Sequence, residues 1–351
     1  MKFEAVTIKD IARALGLSTS TVSRALRDSH EISPETKKLV QDYAEKINYH
    51  PNPIALSLKE RRSRSIGVIV CEIANSFFSQ TINGIESIAY NNGYNVIIAQ
   101  SRESVDRELL NLQYLTSRSI DGLIISVSTE TKDFTYLKEL SNKGLPIVFF
   151  DRIVDEVDTH KVIVDNYKGA YDATVHLIKS GYRRIASVSN PLTLSITRER
   201  LAGYKAALSD NGISAEESLV KYCQHGGMIG EEVEVVVKEL LKEKNKPDAI
   251  FASADKLTTA CLRILKAQGL RVPGDMGLIG FSNTDLTELL DPPLSVIRQP
   301  AFEMGEVAMQ LLLQLIESKR PVTEFQTRVL STELLIRAST RKKNEKAREV
   351  I

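Results

Sequence analysis

No apolar run along the chain approaches the roughly 20 residues that a membrane helix requires, so no crossing of a bilayer is expected. A secretory leader is missing too: Met1-Lys2-Phe3-Glu4 runs straight into a polar helical pattern at Thr7 without an apolar stretch, and the protein is expected to stay in the cytoplasm. Cysteine is scarce. Cys71, Cys223 and Cys261 form an odd trio with no CxxC or Cys/His spacing, which argues against a zinc site or a disulfide framework and for buried reduced thiols. The signatures of common α/β enzymes do not occur: there is no GxxxxGK[ST], no GxGxxG after a strand, no HExxH and no GxSxG. Neither catalysis nor a metal nor an organic cofactor is expected.

What is present describes a soluble globular chain, with 42% hydrophobic and 26% charged residues. Its 351 residues exceed the usual reach of one hydrophobic core, so two or three domains are expected. The net charge of +1 hides an asymmetry. Residues 1–64 carry 12 Lys/Arg against 8 Asp/Glu, whereas residues 65–351 carry 34 against 37. The basic segment is the N-terminal one, which alone is weak support for nucleic-acid binding and needs a motif beside it.

Such a motif is there. Thr7 is a plausible N-cap for a helix from Ile8 to Leu15 whose apolar residues Ile8, Ile11, Ala12 and Leu15 share one face. Gly16 ends it, and Ser18 can cap a second helix from Thr19 to Leu26 with Val22, Ala25 and Leu26 inward. Ser33-Pro34 is an N-cap and N1 pair that opens a third helix through Ile47, with Leu39, Val40, Tyr43, Ala44 and Ile47 as its inner stripe. Two short helices joined by Gly16-Leu17-Ser18 have the layout of a helix-turn-helix, although a plain three-helix bundle would share these features. On the outer face of the second helix, small Thr19 and Ser20 allow close approach to base edges. Thr21 and Ser23 can reach phosphates, and Arg24 can bond a guanine edge through two donors. Thr7 is grouped with these DNA-facing residues.

Further along, Tyr49-His50-Pro51-Asn52-Pro53 must be extended or turned, a short helix from Ile54 to Lys59 can follow, and Lys59-Glu60-Arg61-Arg62-Ser63-Arg64 reads as a basic linker. A domain boundary belongs near residue 64. From Ser65 onward, short apolar runs at Ile66–Val70, Asn95–Ala99, Gly122–Ser126, Pro146–Phe150, Ile185–Val188, Ala249–Ala252 and Met276–Gly280 alternate with helical stretches. Such alternation predicts parallel sheets with crossover helices, and the two series of strands predict two doubly wound lobes with a ligand cleft between them.

Through Thr7-Ile8-Lys9-Asp10-Ile11-Ala12, Gly16-Leu17-Ser18-Thr19-Ser20-Thr21-Val22-Ser23-Arg24, Ser33-Pro34-Glu35-Thr36 and Tyr49-His50-Pro51-Asn52-Pro53-Ile54-Ala55-Leu56-Ser57-Leu58, the chain resembles the LacI/GalR family of bacterial regulators. Later matches are Ser65-Ile66-Gly67-Val68-Ile69, Asp121-Gly122-Leu123-Ile124, Arg200-Leu201-Ala202-Gly203-Tyr204, Gly269-Leu270-Arg271-Val272-Pro273-Gly274-Asp275 and Gln299-Pro300. The resemblance implies an all-α helix-turn-helix headpiece at 1–50, a hinge helix and linker at 51–64, and an α/β core at 65–340 of two doubly wound, periplasmic-binding-protein-like lobes, followed by a polar tail at 341–351. The chain would cross between lobes three times, with the N-lobe at about 65–164 and 295–324 and the C-lobe at about 165–294 and 325–340.

For function, the resemblance implies a homodimeric regulator, a repressor, that binds a palindromic double-stranded operator. A small molecule, a sugar or sugar derivative, would sit between the lobes and release or tighten the DNA. Asn52, Ala55 and Leu58 would enter the minor groove at the operator centre, with Leu58 wedged into a base step. Carried over to the effector cleft are Phe77 and Phe78 after the first core strand, Arg152, Asp165, Arg200, His225, Asp255, Ser282 and Gln299. Two departures stand out. Gly280-Phe281 is followed by Ser282 where many members have an aspartate that bonds the effector, and the tail Lys342-Lys343-Asn344-Glu345-Lys346-Ala347-Arg348 lacks the apolar heptad seam by which some members pair dimers into tetramers. The alternatives weighed against a regulator are an α/β enzyme with an accessory helical domain and a periplasmic solute receptor. The enzyme lacks its motifs, and the receptor would need a leader and no basic headpiece.

Overall fold

The computed structural model describes residues 6–49 and 62–341, and in the N-terminal part of the chain the helices begin where side chains take up otherwise unpaired backbone donors. In the first helix, α1 (Ile8–Leu15), the Thr7 backbone N–H and hydroxyl both donate to the Asp10 carboxylate, at 2.9 and 2.7 Å, and Gly16 closes the helix in the left-handed region at φ 65°. Ser18 accepts from the Thr21 N–H to open α2 (Thr19–Ala25), and Ser33, followed by Pro34, does the same for α3 (Pro34–Lys46). Ile11, Ala12, Val22, Ala25, Val40, Ala44 and Tyr49 form the small core beneath them. Leu39, expected in the inner stripe, is 51% exposed, because Val40 and Ala44 set the inner face and Leu39 lies one step round the helix. The expected helix at 54–59, the residues Asn52, Ala55 and Leu58, and the polar tail beyond Arg341 lie outside the described residues.

The chain divides into two units between Arg64 and Ser65. In the larger one, β1 (Ser65–Val70), β2 (Asn95–Gln100), β3 (Gly122–Ile125), β4 (Ile147–Phe150), β5 (His160–Val164) and β11 (Thr327–Leu330) form a first parallel sheet ordered β11-β5-β4-β3-β1-β2. A second sheet, ordered β12-β10-β9-β8-β6-β7, contains β6 (Ile185–Ser189), β7 (Val220–Tyr222), β8 (Ala249–Ala252), β9 (Gly277–Phe281), β10 (Ser295–Arg298) and β12 (Glu333–Leu335). Only β12 runs antiparallel to its neighbour. Inner strands such as β3, β4, β8 and β9 are buried along their whole length, which is why they appear in the sequence as unbroken apolar runs.

Helices cover both faces of each sheet. On the first lie α4 (Ser76–Asn91), α5 (Val105–Ser117), α6 (Thr135–Asn142) and α11 (Ala301–Glu317); on the second lie α7 (Asn166–Lys179), α8 (Ser195–Asp210), α9 (Gly230–Lys242) and α10 (Asp255–Ala267). Helices α4 and α11 pack so closely that a Cβ on Gly84 would run into the Phe302 carbonyl, and one on Gly305 into the Thr81 carbonyl.

The lobe boundaries need correcting. Residues 295–298 belong to the second sheet, where β10 pairs with β9, so the chain crosses to the first lobe at Gln299 and Pro300. Residues 327–330 then belong to the first sheet, paired with β5, and the last crossing follows Leu330. Short β10 follows Pro292-Pro293, and exposed β11 has no apolar pattern, so neither stood out as a strand.

Candidate functional site

The outer face of the headpiece is polar and partly pre-arranged. Thr19, Ser20 and Arg24 are exposed on α2. The Thr21 hydroxyl is 2.8 Å from that of Ser18, and Ser23 accepts from Arg27 at 2.7 Å. Arg24 is held by Glu31 at 2.8 Å, an exposed pair that costs little to break. Thr7 lies at the N-terminus of α1, where its exposed hydroxyl is engaged by Asp10. The lowered pKa of Asp10 comes chiefly from that hydroxyl and then from the Thr7 N–H.

In the core, polar side chains gather where strands end. Cys71 and Glu72 follow β1, Glu103 follows β2, and Asp151-Arg152 follows β4. From the second sheet, Asn190 follows β6, Ser253 and Asp255 follow β8, and Ser282-Asn283 follows β9. In both sheets the first strand has its second on one side and its third on the other, and a crevice opens at such a reversal beyond the strand ends. A cavity of about 50 Å³ lies there, lined from one lobe by Cys71, Glu72, Phe78, Glu103 and Arg152 and from the other by Asn190, Met228, Asp255 and Lys256. A roomier hollow of about 400 Å³ lies between the start of β4 and the end of α11, but its one buried polar side chain, Thr159, spends its hydroxyl on the Ile147 carbonyl. The crevice is the better candidate.

Arg152 grips Glu103 with both terminal nitrogens, at 2.7 and 2.8 Å, and also donates to Cys71 Sγ at 3.1 Å and the Val127 carbonyl at 3.2 Å. Burial pushes the Glu103 carboxyl up, but the Arg152 charge and hydrogen bonds outweigh it and leave the pKa below the usual 4.5. Asp151, in the left-handed region at φ 59°, stands between Arg152 of its own lobe and Arg200 of the other, with Gln299 beside it. Burial raises its pKa despite those cations. Arg200 donates to Asn166 at 2.8 Å and to the Ser253 carbonyl at 2.6 Å, and its guanidinium lies 3.7 Å over the Phe281 ring. Burial pulls its pKa down to about 10, against Asp151 and Glu199, so it stays charged at neutral pH. Among the buried polar atoms that make no hydrogen bond, Arg152 Nε, Arg200 Nη2, Asn190 Oδ1 and the Ser253 hydroxyl belong to residues at or next to this crevice. Left dry, such atoms are costly; a polar ligand would supply their partners. Among the described residues no cluster of His, Cys, Asp or Glu could hold a metal ion.

The expected cleft residues are distributed unevenly. Phe78, Arg152 and Asp255 line the cavity, and Arg200, Ser282 and Gln299 are buried around it. Ser282 donates to Asp255, so a carboxylate from the start of α10 stands beside the position where the sequence lacks one. Burial raises the Asp255 pKa, with Ser282 and Lys256 opposing. Three residues are elsewhere. Phe77 lies in the core of the first lobe, edge-on to Phe78 at 5.2 Å, and only Phe78 of the two reaches the cavity. Asp165 caps α7, accepting from the Lys168 N–H at 2.8 Å. His225 is exposed and faces Glu232 at 3.4 Å, while Gly226 and Met228 reach the cavity in its place. Sequence reasoning missed Glu72, Glu103, Asp151, Asn166, Asn190, Ser253 and Lys256. Their common signal is position within a few residues of the C-terminal end of a strand.

Comparison with known proteins agrees with this fold. Residues 7–52 match the model of bacterial regulatory proteins of the lacI family, and residues 174–340 match a periplasmic binding protein-like domain. The HTH-type transcriptional repressor CytR of Escherichia coli K12 is 35% identical over 337 residues, covering 96% of this chain and 97% of that repressor. The chain belongs to the LacI family. The lac repressor dimer bound to operator and the anti-inducer ONPF superimposes with a TM-score of 0.81 at 26% identity, over 96% of this chain and 99% of that one. A LacI-family regulator from Enterococcus faecium with bound ribose gives 0.68 at 30% identity, over 78% of this chain and 98% of that one. This member of the family is therefore a DNA-binding transcriptional regulator with a helix-turn-helix headpiece and a two-lobed effector core. No helix among its described residues is long and apolar enough to cross a membrane.

Proposed function

We propose that this chain is a homodimeric repressor that acts in the cytoplasm without catalysis, each headpiece on one half of a palindromic operator, and that a sugar or sugar derivative bound between the core lobes changes its affinity for DNA. The observation that carries the ligand reading is the set of unpartnered buried atoms, Arg200 Nη2, Asn190 Oδ1 and the Ser253 hydroxyl from one lobe opposite Arg152 Nε from the other. Forked donors and amide acceptors suit a compact molecule with adjacent hydroxyls, and Phe78 adds an aromatic side chain to the lining. The ribose-bound relative supports the same class. Exposed Tyr90, Ile98, Leu110 and Tyr114 on the first lobe offer apolar area for a second copy. Thr19, Ser20, Thr21, Ser23 and Arg24 would face the major groove, with Thr7 at its edge, and Asn52, Ala55 and Leu58 the minor groove.

Thermal-shift measurements against pentoses, hexoses, disaccharides and nucleosides test the ligand. A binder at 100 times its Kd should add about 2.7 kcal/mol of stability. The binder should then alter operator affinity in a titration whose affinity falls steeply with salt. DNA binding indifferent to salt, or a hit that leaves operator affinity unchanged, would overturn the reading.

A further inference from the structure

Besides the approach of Asp151 to Arg200, two sets of hydrogen-bonded contacts join the lobes among the described residues. Gln80 of α4 and Asn283 after β9 exchange hydrogen bonds at 3.0 and 3.1 Å, and Asn283 also bonds the backbone of Gln299, at 2.7 and 3.1 Å. This contact lies against a crossing of the chain. The second does not: Glu72, in the turn after β1, meets Lys256, in the first turn of α10, at 2.7 Å. The Lys256 ammonium is also 3.2 Å from Met228 Sδ. It can be there because Gly227, at φ 81°, folds its loop against the Lys256 side chain, where a Cβ would come within 3.0 Å of the Lys256 Cβ. Both charged groups line the cavity, which at about 50 Å³ is far smaller than the few hundred Å³ typical of a ligand cleft.

We propose that the Glu72–Lys256 bridge is a latch that biases the cleft toward its closed form, an internal ammonium binding across the lobes as a ligand's donor would. The latch concerns the same crevice as the function proposed above, but it stands whatever the ligand is. A ligand must part the bridge to enter. The pair is one-fifth to one-third exposed on its side chains, so its effect is a bias between open and closed forms and not a lock.

The test needs no ligand. Cys71, Cys223 and Cys261 are buried, so spin labels on introduced Lys132→Cys and Val235→Cys, both exposed, report the separation of the lobes in the full-length chain. Lys256→Met and Glu72→Gln should each raise the open population, about fivefold. The reversed pair, Glu72→Lys with Lys256→Glu, should restore most of the closed form. Melting curves verify that each variant is folded. Distance distributions unchanged in both single variants, or a reversed pair no more closed than they are, would overturn the latch while leaving the ligand assignment standing.

Discussion

Arg152 and Glu103 form a deeply buried, doubly hydrogen-bonded ion pair in the crevice, with side chains only 7% and 11% exposed. Removing one partner from such a pair costs about 3–5 kcal/mol, because the other charge stays buried and uncompensated. Glu103→Gln should lower stability by that order at neutral pH in chemical denaturation. The pH dependence has a definite sign. The folded Glu103 pKa is depressed, so its contribution is present above the ordinary 4.5 and is lost as pH falls through the lower folded value. Wild type and variant should therefore converge as acid protonates Glu103 in the folded state, and a gap that stays constant as the pH is lowered would show that another group carries it. On the headpiece, Arg24→Ala should weaken specific operator binding by roughly 1–3 kcal/mol and binding to random duplex less, as competition titrations would read. Glu31→Ala, which frees Arg24, should not weaken either.

At the scale of elements, α4 and α11 meet through Gly84 and Gly305. In an open helix Gly→Ala gains up to about 1 kcal/mol, so the sign of the effect is informative. Gly84→Ala should instead destabilise by about 1–3 kcal/mol in urea, since the added methyl meets backbone that cannot swing aside. A stabilised variant would mean that the helices lie farther apart. How much of this was legible follows from what periodicity reports. Buried strands β1, β3, β4, β8 and β9 announce themselves as apolar runs, and the headpiece helices by capping residues and a 3.6-residue pattern. Edge strands β11 and β12 have exposed residues and no such pattern, and β5 alternates so briefly that it was passed over. The crevice was half legible. Arg152 and Arg200 are visible by family likeness, but Glu103 and Asp151 depend on left-handed backbone at φ 63° and 59°, which nothing in the sequence marks. His225 misled because its place in the chain is right while its side chain belongs to Glu232.

For the whole molecule, the division at Arg64 predicts separable functions. A core beginning at residue 62 should keep any thermal shift produced by a ligand and lose operator binding. In the intact chain the two affinities should be linked: whatever factor the ligand imposes on DNA binding, operator DNA imposes on ligand binding, typically 1–3 kcal/mol. Arg200→Ala should abolish the response to ligand and leave ligand-free operator affinity nearly unchanged, in titrations with and without the compound found by thermal shift. The two sheets share one plan, and each takes its sixth strand from the same late stretch, β11 for the first and β12 for the second. As the chain emerges from the ribosome, each lobe has five strands in place long before it can acquire a border. Both are completed together within residues 327–335, so a nonsense codon shortly before Thr327 would leave two unfinished sheet edges at once, each open to pairing with another chain.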